Sequence, residues 1–119
     1  MTNIKSLKIN TDVLQGMPAA IALLDTNFSL IDASESLLKL FGLETQKVKG
    51  KNWFALFPSL SKDWKIRLEH TMYGVKDIEI LDKVILPDGT TKHFIWHLNP
   101  WRDSSGKQFG VVITVAHNR

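Results

Sequence analysis

Residues 86–115 read LPDGTTKHFIWHLNPWRDSSGKQFGVVITV, and this stretch decides the fold. It holds three strand-like runs, two punctuating turns and two of the four tryptophans, Trp96 and Trp101. Asp88-Gly89 signals a hairpin, because such turns need positive φ and Gly supplies it without a steric penalty. Asp103 to Gly106 marks a second, longer turn. The spacing predicts antiparallel strands over about 80–87, 91–99 and 108–116. Period-two alternation puts Phe94, Trp96 and Leu98 on one face, and Ile95 among His93, His97 and Asn99 on the other. In the last strand Phe109, Val111, Ile113 and Val115 alternate with Gly110, Val112, Thr114 and Ala116. Both faces are too apolar to be bare, so two-sided cover is expected.

Upstream, INTDVLQGMP (9–18) reads as a short helix with Asn10 or Thr11 as N-cap, Gly16 near its end and Pro18 beyond. AIALLD (20–25), the pair Thr26-Asn27 and FSLIDA (28–33) predict a hairpin. Ser34 suits an N-cap for the two-turn helix of ESLLKLFG, stopped at Gly42. The segment 43–58 has Thr45 before a short helical piece, a turn at Gly50 and a further helical turn in WFALF. A longer helix is expected over about 61–73. At 100° per residue Leu60, Trp64, Leu68, Thr71, Met72 and Val75 share one side, Arg67 flanks them, and Ile66, His70 and Tyr73 point away. Two strands and then three, with helices between them, describe an α+β domain: one antiparallel sheet with its helices on one face.

Composition narrows the function. A chain of 119 residues is one domain, able to bury roughly two thirds of its unfolded surface. The net charge of +3 is spread over Lys5, Lys8, Lys47 to Lys51, Lys62, Lys65 and Arg67 among acidic residues, a solvated surface rather than a nucleic-acid stripe. No nucleic-acid partner is expected. The absence of Cys removes disulfides, thiolate nucleophiles and cysteine metal sites. The apolar run in PAAIALL falls far short of the ~20 residues of a membrane span. MTNIKSLKINTD is polar where a signal peptide would be apolar, so the expectation is a cytoplasmic domain with no membrane insertion.

Catalytic motifs are missing: no Ser/His/Asp order, phosphate-cradling glycine loop or tight carboxylate pair stands out. His93 and His97 are four apart, but on a strand that spacing is roughly 13 Å, too far for one ion. Asp82 shares parity with Ile78, Ile80, Val84 and Leu86 and should face inward, where a charge needs a partner. With Arg67 and Thr71 on the facing helix it would form the polar end of a small-ligand cavity. The reading favoured over that cavity is a bulge returning it to solvent, or a guard on an edge strand. Trp53, Phe57, Trp64, Leu68 and Met72 form the apolar wall, which suits a filled core or a pocket. The candidate ligand-binding residues are therefore Trp53, Trp64, Arg67, Leu68, Thr71 and Asp82.

Four places carry a resemblance. LQGMPAAIALLDTNFSLIDAS, LLKLFGLETQKVKGKNWFALFP with Gly42, Gly50 and Lys51, LPDGTTKHFIW with Asp88-Gly89 at its tip, and NPWRDSSGKQFGVVITV together resemble the PAS sensory domain family of bacterial signalling proteins. The last run resembles domains that precede histidine kinase or diguanylate cyclase outputs, as in two-component systems. Ser34 stands where the family often has Asn, and His117-Asn118-Arg119 replaces the usual closing Asp-Ile-Thr. The resemblance implies a five-stranded antiparallel sheet of order 2-1-5-4-3 with short helices on one face, behind an N-terminal helix over 1–17; the PAS domain proper would be 18–119. It implies a non-catalytic sensor or relay that passes a conformational signal to a C-terminal output region and dimerises. The alternative is a true small-ligand or cofactor sensor with a pocket between helix 61–73 and the sheet. Family members that form a flavin adduct use a Cys, which this chain lacks, and haem-binding members use a His on the long helix, whereas His70 lies on the wrong face. The cofactor stays unassigned. Val13, Leu14 and Met17, apolar on a helix too short to stand alone, and Ile95, Val112 and Ala116 on the outer sheet face are the expected dimer surface.

Overall fold

The computed structural model describes residues 18–44 and 47–117. The meander of residues 86–115 forms β4 (Thr91–Arg102) and β5 (Gln108–His117), preceded by β3 (Ile78–Ile85). β4 runs three residues further than the alternation predicts, through Pro100–Arg102, because Pro100 pairs with Val111 and Trp101 with Gly110. Pairing with β3 stops at Leu98, so the proline falls where β4 has only one paired neighbour, a place that tolerates a residue without an N–H. Both hairpin tips are fastened by an Asp. The Thr90 hydroxyl donates to Asp88 at 2.6 Å and holds its carboxyl below the ordinary range, as the Ser105 hydroxyl does for Asp103 at 2.7 Å.

β1 (Ala20–Asp25) and β2 (Leu30–Ala33) complete one sheet of order β2-β1-β5-β4-β3, the order that the PAS resemblance implies. The β1–β2 turn differs from the expected Thr26-Asn27 pair. Asp25 Oδ1 accepts the N–H groups of Asn27 (2.8 Å) and Ser29 (2.9 Å), and Phe28 sits at φ 64°. This Asx-type wrapping lengthens the turn to residues 26–29, and β2 starts at Leu30 rather than Phe28. The segment after Gly50 then runs beside β2, with Leu30 N–H donating to Lys51 O at 2.9 Å.

Among the described residues three helices cover one face. α1 (Glu35–Leu40) is N-capped by Ser34, whose Oγ accepts from Leu37 N at 3.2 Å. The same oxygen accepts from Ile21 N and donates to Ala19 O, tying the helix to the start of β1. α2 (Trp53–Leu56) is capped by Asn52, and α3 (Asp63–Met72) is the longer helix expected over 61–73. Thr45 and Gln46 lie outside the described residues, as do residues 1–17 with Val13, Leu14 and Met17. The described Gly50 is in a turn at φ 85°. Trp64, Leu68 and Thr71 of the predicted stripe are buried, and Leu60 and Met72 are half-buried. Val75 is not part of it: Gly74, at φ 95°, turns the chain out of the helical register, and Val75 is 48% exposed. Among the described residues no helix is long and apolar enough to cross a membrane.

The inner sheet face carries Ala22, Leu24, Phe94, Trp96, Leu98, Val111 and Ile113, all fully buried. At Gly110 of β5 the backbone of β1 leaves no room for a side chain: a Cβ there would run into the Leu24 carbonyl, its carbon at 2.9 Å. Since that obstacle is backbone, Gly110→Ala must push β1 off β5. A loss of about 1–3 kcal/mol or more is expected from urea unfolding. A midpoint equal to wild type would mean that β1 and β5 pair differently in solution.

Candidate ligand-binding site

Period two on β4 aims Phe94 and Trp96 at the helices, and helical spacing on α3 aims Trp64, Leu68 and Thr71 back at the sheet. The result is a cluster of six buried rings. Trp96 lies 5.0 Å from Trp64 and 5.9 Å from Phe57 between ring centroids, both edge-on, and 5.6 Å from Phe41 in parallel stacking. Trp53 stands 6.0 Å from both Trp64 and Trp96 and 4.4 Å from Phe57. Phe94 closes the cluster against Phe41 and Trp96. Edge-to-face pairs at such distances contribute beyond the area they bury.

Asp82 faces inward, as its parity requires, and the β3–β4 register runs past it without a bulge. Its partners are not Arg67 and Thr71. Asp82 Oδ2 accepts from the Trp64 indole at 2.9 Å and from Ser61 N at 2.8 Å, and the Asp82 backbone O accepts from the Trp96 indole at 3.3 Å. The carboxylate stands at the start of α3, where orphan N–H groups need acceptors and the N-cap Lys62 supplies none. Its other oxygen accepts from Lys83 N at 2.8 Å, which occupies a backbone donor on the edge strand β3. Arg67 is exposed, and Thr71 turns its hydroxyl to the Arg67 carbonyl at 3.0 Å instead.

Of the six sequence-predicted site residues, Trp53, Trp64, Leu68 and Thr71 are fully buried, Trp53 and Trp64 share the ring cluster, and Asp82 joins them by hydrogen bonding; Arg67 does not. The Trp53 Nε1 is buried and has no hydrogen-bond partner among the described residues. Gln108 escapes a reading of motifs: its amide donates to Thr71 O (2.9 Å) and Gly110 O (3.1 Å), fastening the end of α3 to β5. The one hint of it in sequence is a long polar side chain opening an otherwise apolar strand.

The opposite face of the sheet is different in kind. His97 lies 3.7 Å from Glu79 across β3–β4, and His93 is exposed on the same face. His70 is exposed on α3. Among the described residues no group of three or more His, Cys, Asp or Glu is placed to hold a metal ion. Leu81, Ile95 and Ala116 lie side by side across β3, β4 and β5, with Leu81 63% and Ile85 57% exposed; Ile95 and Val112 are half-buried.

The family model described as the PAS fold matches residues 14–117. No curated protein matches the chain. Among solved structures, VqmA bound to DPO superposes with a TM-score of 0.74 at 17% identity, over 98% of this chain and 58% of that one. The Vibrio cholerae VqmA dimer in the absence of target DNA gives the same score over 53% of its chain. The PAS domain from Bordetella pertussis BvgS matches with a TM-score of 0.64 at 20% identity, over 95% of this chain and 85% of that one. The blue-light photoreceptor Aureochrome1 LOV, in its light state, matches with 0.67 at 20%, over 99% and 90%. At such identities the likeness is one of fold. The chain spans little more than half the length of the VqmA chains.

Trp53 and Trp64 are equally buried, but among the described residues only Trp64 of the two has an acceptor for its N–H. Trp64→Phe should therefore destabilise more than Trp53→Phe, by about 1–3 kcal/mol. Trp64→Ala, which also opens a cavity, should cost on the order of 3–5 kcal/mol. Urea unfolding of the three variants measures this, and equal losses for the two Phe variants would show that the Asp82 bonds add nothing.

Proposed function

The chain belongs to the PAS fold family and is a sensor module of signal transduction, and from that premise we propose that it works as a non-catalytic relay that pairs with a second copy of itself and passes a change of packing to a C-terminal output region. The observation that carries the reading is the apolar row Leu81–Ile95–Ala116 on the outer sheet face, flanked by Ile85. An exposed row of this kind on a sheet asks for cover. The cover proposed is a second copy about a two-fold axis, the commonest symmetry of homo-oligomers. Val13, Leu14 and Met17, which lie outside the described residues, are proposed on their apolar sequence alone to belong to the same dimer surface. The output is of the histidine kinase or diguanylate cyclase type, on the strength of the NPWRDSSGKQFGVVITV run, and the module works in the cytoplasm. VqmA, itself a dimer, has a target DNA; for the present module the interspersed charge on α3, Lys62, Asp63, Lys65, Arg67 and Glu69, favours protein over nucleic acid as partner.

A second reading, small-ligand sensing between α3 and the inner sheet face, draws support from the buried, unpaired N–H of Trp53 within the ring cluster. Unpaired buried donors are uncommon and mark places where a partner belongs. The absorption spectrum and native mass of the purified domain test for a retained molecule: a chromophore band or excess mass favours this reading over the simple relay.

Sedimentation at tens of micromolar should give a dimer for the whole chain and a monomer for Leu81→Asp and for Ile95→Asp. A chain starting at Met17 separates the sheet from the segment 1–16. Monomeric whole chain would sink the self-association, and a dimer that survives both Asp variants would move the interface off this face.

A further inference from the structure

We propose that two copies of the chain stack by their outer sheet faces with their strands running in opposite directions, the two-fold axis lying along the row Leu81–Ile95–Ala116, so that Glu79 of each copy meets Lys83 of the other. The inference rests on the self-association read above and gives that surface its partner's orientation. Strand pairing arranges the outer face in rows, and the apolar row stands between two charged ones. Two residues from Leu81 in one direction along β3 lies Glu79, in the row of His97 and Thr114; two residues in the other lies Lys83, in the row of His93. Alternation brings all of them to the same side of the sheet, with the charged rows about 7 Å from the apolar one on either hand. Glu79 and Lys83 are both exposed. The Glu79 carboxylate has only His97 near it, at 3.7 Å, and among the described residues Lys83 has no ion-pair partner. With the histidines neutral, one end of the face is acidic and the other basic.

A face that stacks on its own copy offers the two-fold axis two directions in the plane of contact, along the strands or across them. An axis along the strands lays each row on the same row of the partner, acidic end on acidic end and basic end on basic end, and like charges brought together at an interface repel. An axis across the strands, along the apolar row, leaves Leu81, Ile95 and Ala116 each opposite its own counterpart and exchanges the rows on either side. Glu79 then lies over the partner's Lys83, and symmetry makes the pair twice. The charges flank the apolar contact instead of entering it, so they stay at a solvated rim. The twist of each sheet turns packed strands by about 30° from alignment, an offset that the flexible stem of Lys83 spans. The same axis sets where the chains leave the sheets. Ala116 lies on it, next to His117 at the end of β5, so the two strands finish side by side, about the 10 Å of sheet packing apart. A relay acting on a paired C-terminal output region needs its last strands there.

Charge reversal in the full chain tests the orientation, by sedimentation at low salt and about pH 8, where both histidines are neutral. Lys83→Glu and Glu79→Lys should each weaken the dimer about 5-fold or more, since either turns two attractive pairs into repulsive ones. The double variant carrying both should return to within about 2-fold of wild type. Unchanged circular dichroism certifies that each variant is folded. Mixing then separates the two axes. Tagged wild-type chain should pair with untagged wild type and refuse the double variant, which would set carboxylate on carboxylate and ammonium on ammonium. Stacking of like end on like end requires the reverse, and preferential pairing with the double variant overturns the inference. A dimer that Leu81→Asp abolishes but neither charge reversal weakens overturns the orientation while leaving the outer-face pairing intact. A monomeric wild type, or a dimer that survives both Leu81→Asp and Ile95→Asp, removes that pairing and the inference with it.

Discussion

Each of the three helical segments reaches the sheet by laying an aromatic ring against Trp96. Phe41, at the end of α1, stacks on it; Trp53 and Phe57 of α2 meet it edge-on; Trp64, in the first turn of α3, crosses it at 88° and 5.0 Å. The single strand that carries Trp96 is paired on both sides, to β3 and to β5. Helices too short to be stable alone thus take their positions from one side chain on the best-anchored strand. Interiors packed at crystal density transmit displacement rather than absorb it, so the rings behave as one body.

Asp82 and Gln108 fix how that body is joined to its frame. A half-buried carboxylate is costly unless its lone pairs are used, and Asp82 uses them on Ser61, Trp64 and Lys83, binding the start of α3 to the edge strand. Gln108 binds the other end of α3, through Thr71 O, to β5. The two tethers lie on different strands, β3 and β5, on either side of β4. A rearrangement of the rings that displaced α3 would therefore pull on both neighbours of the strand bearing Trp96.

Periodicity made the architecture legible. Alternation in HFIWHLN placed Phe94, Trp96 and Leu98 inside, and the α3 stripe placed Trp64, Leu68 and Thr71 opposite them, because both repeats are fixed by backbone geometry. Periodicity also misled at Val75, where it carries no notice that Gly74 has left the helix. The β1–β2 turn departs from the Thr26-Asn27 expectation for a related reason: the wrapping of residues 26–29 around Asp25 is a side-chain effect, invisible to a rule about pairs of turn residues. Parity told which side Asp82 faces but not which donor it meets, and two α3 residues with polar side chains drew attention from an indole and a backbone N–H. The unpaired state of Trp53 was beyond reach of the sequence, since it is a property of acceptors supplied by other elements. The exposure of Leu81 and Ile85 is not legible in sequence, because IEILDKVI has apolar residues on both parities and only pairing shows which of them the sheet leaves outside.

The two faces of this sheet are closer in mechanism than they look. Along a strand, neighbouring residues point to opposite sides, so Trp96 inside is flanked by Ile95 and His97 outside, and Asp82 inside by Leu81 and Lys83. The pairs Leu81–Ile95 and Glu79–His97 sit directly over the pairs Asp82–Phe94 and Ile80–Trp96, one residue away in register. Any tilt of β3 against β4 that reseats Trp96 must change the spacing of the apolar row and of the His97–Glu79 contact on the other side. Communication between a core event and an outer-face contact therefore needs no chain of intermediaries; the backbone shared by adjacent residues is the link. The same geometry sets its limit, because a change confined to side-chain rotation inside the ring cluster, with β3 and β4 unmoved, would leave the outer face as it was.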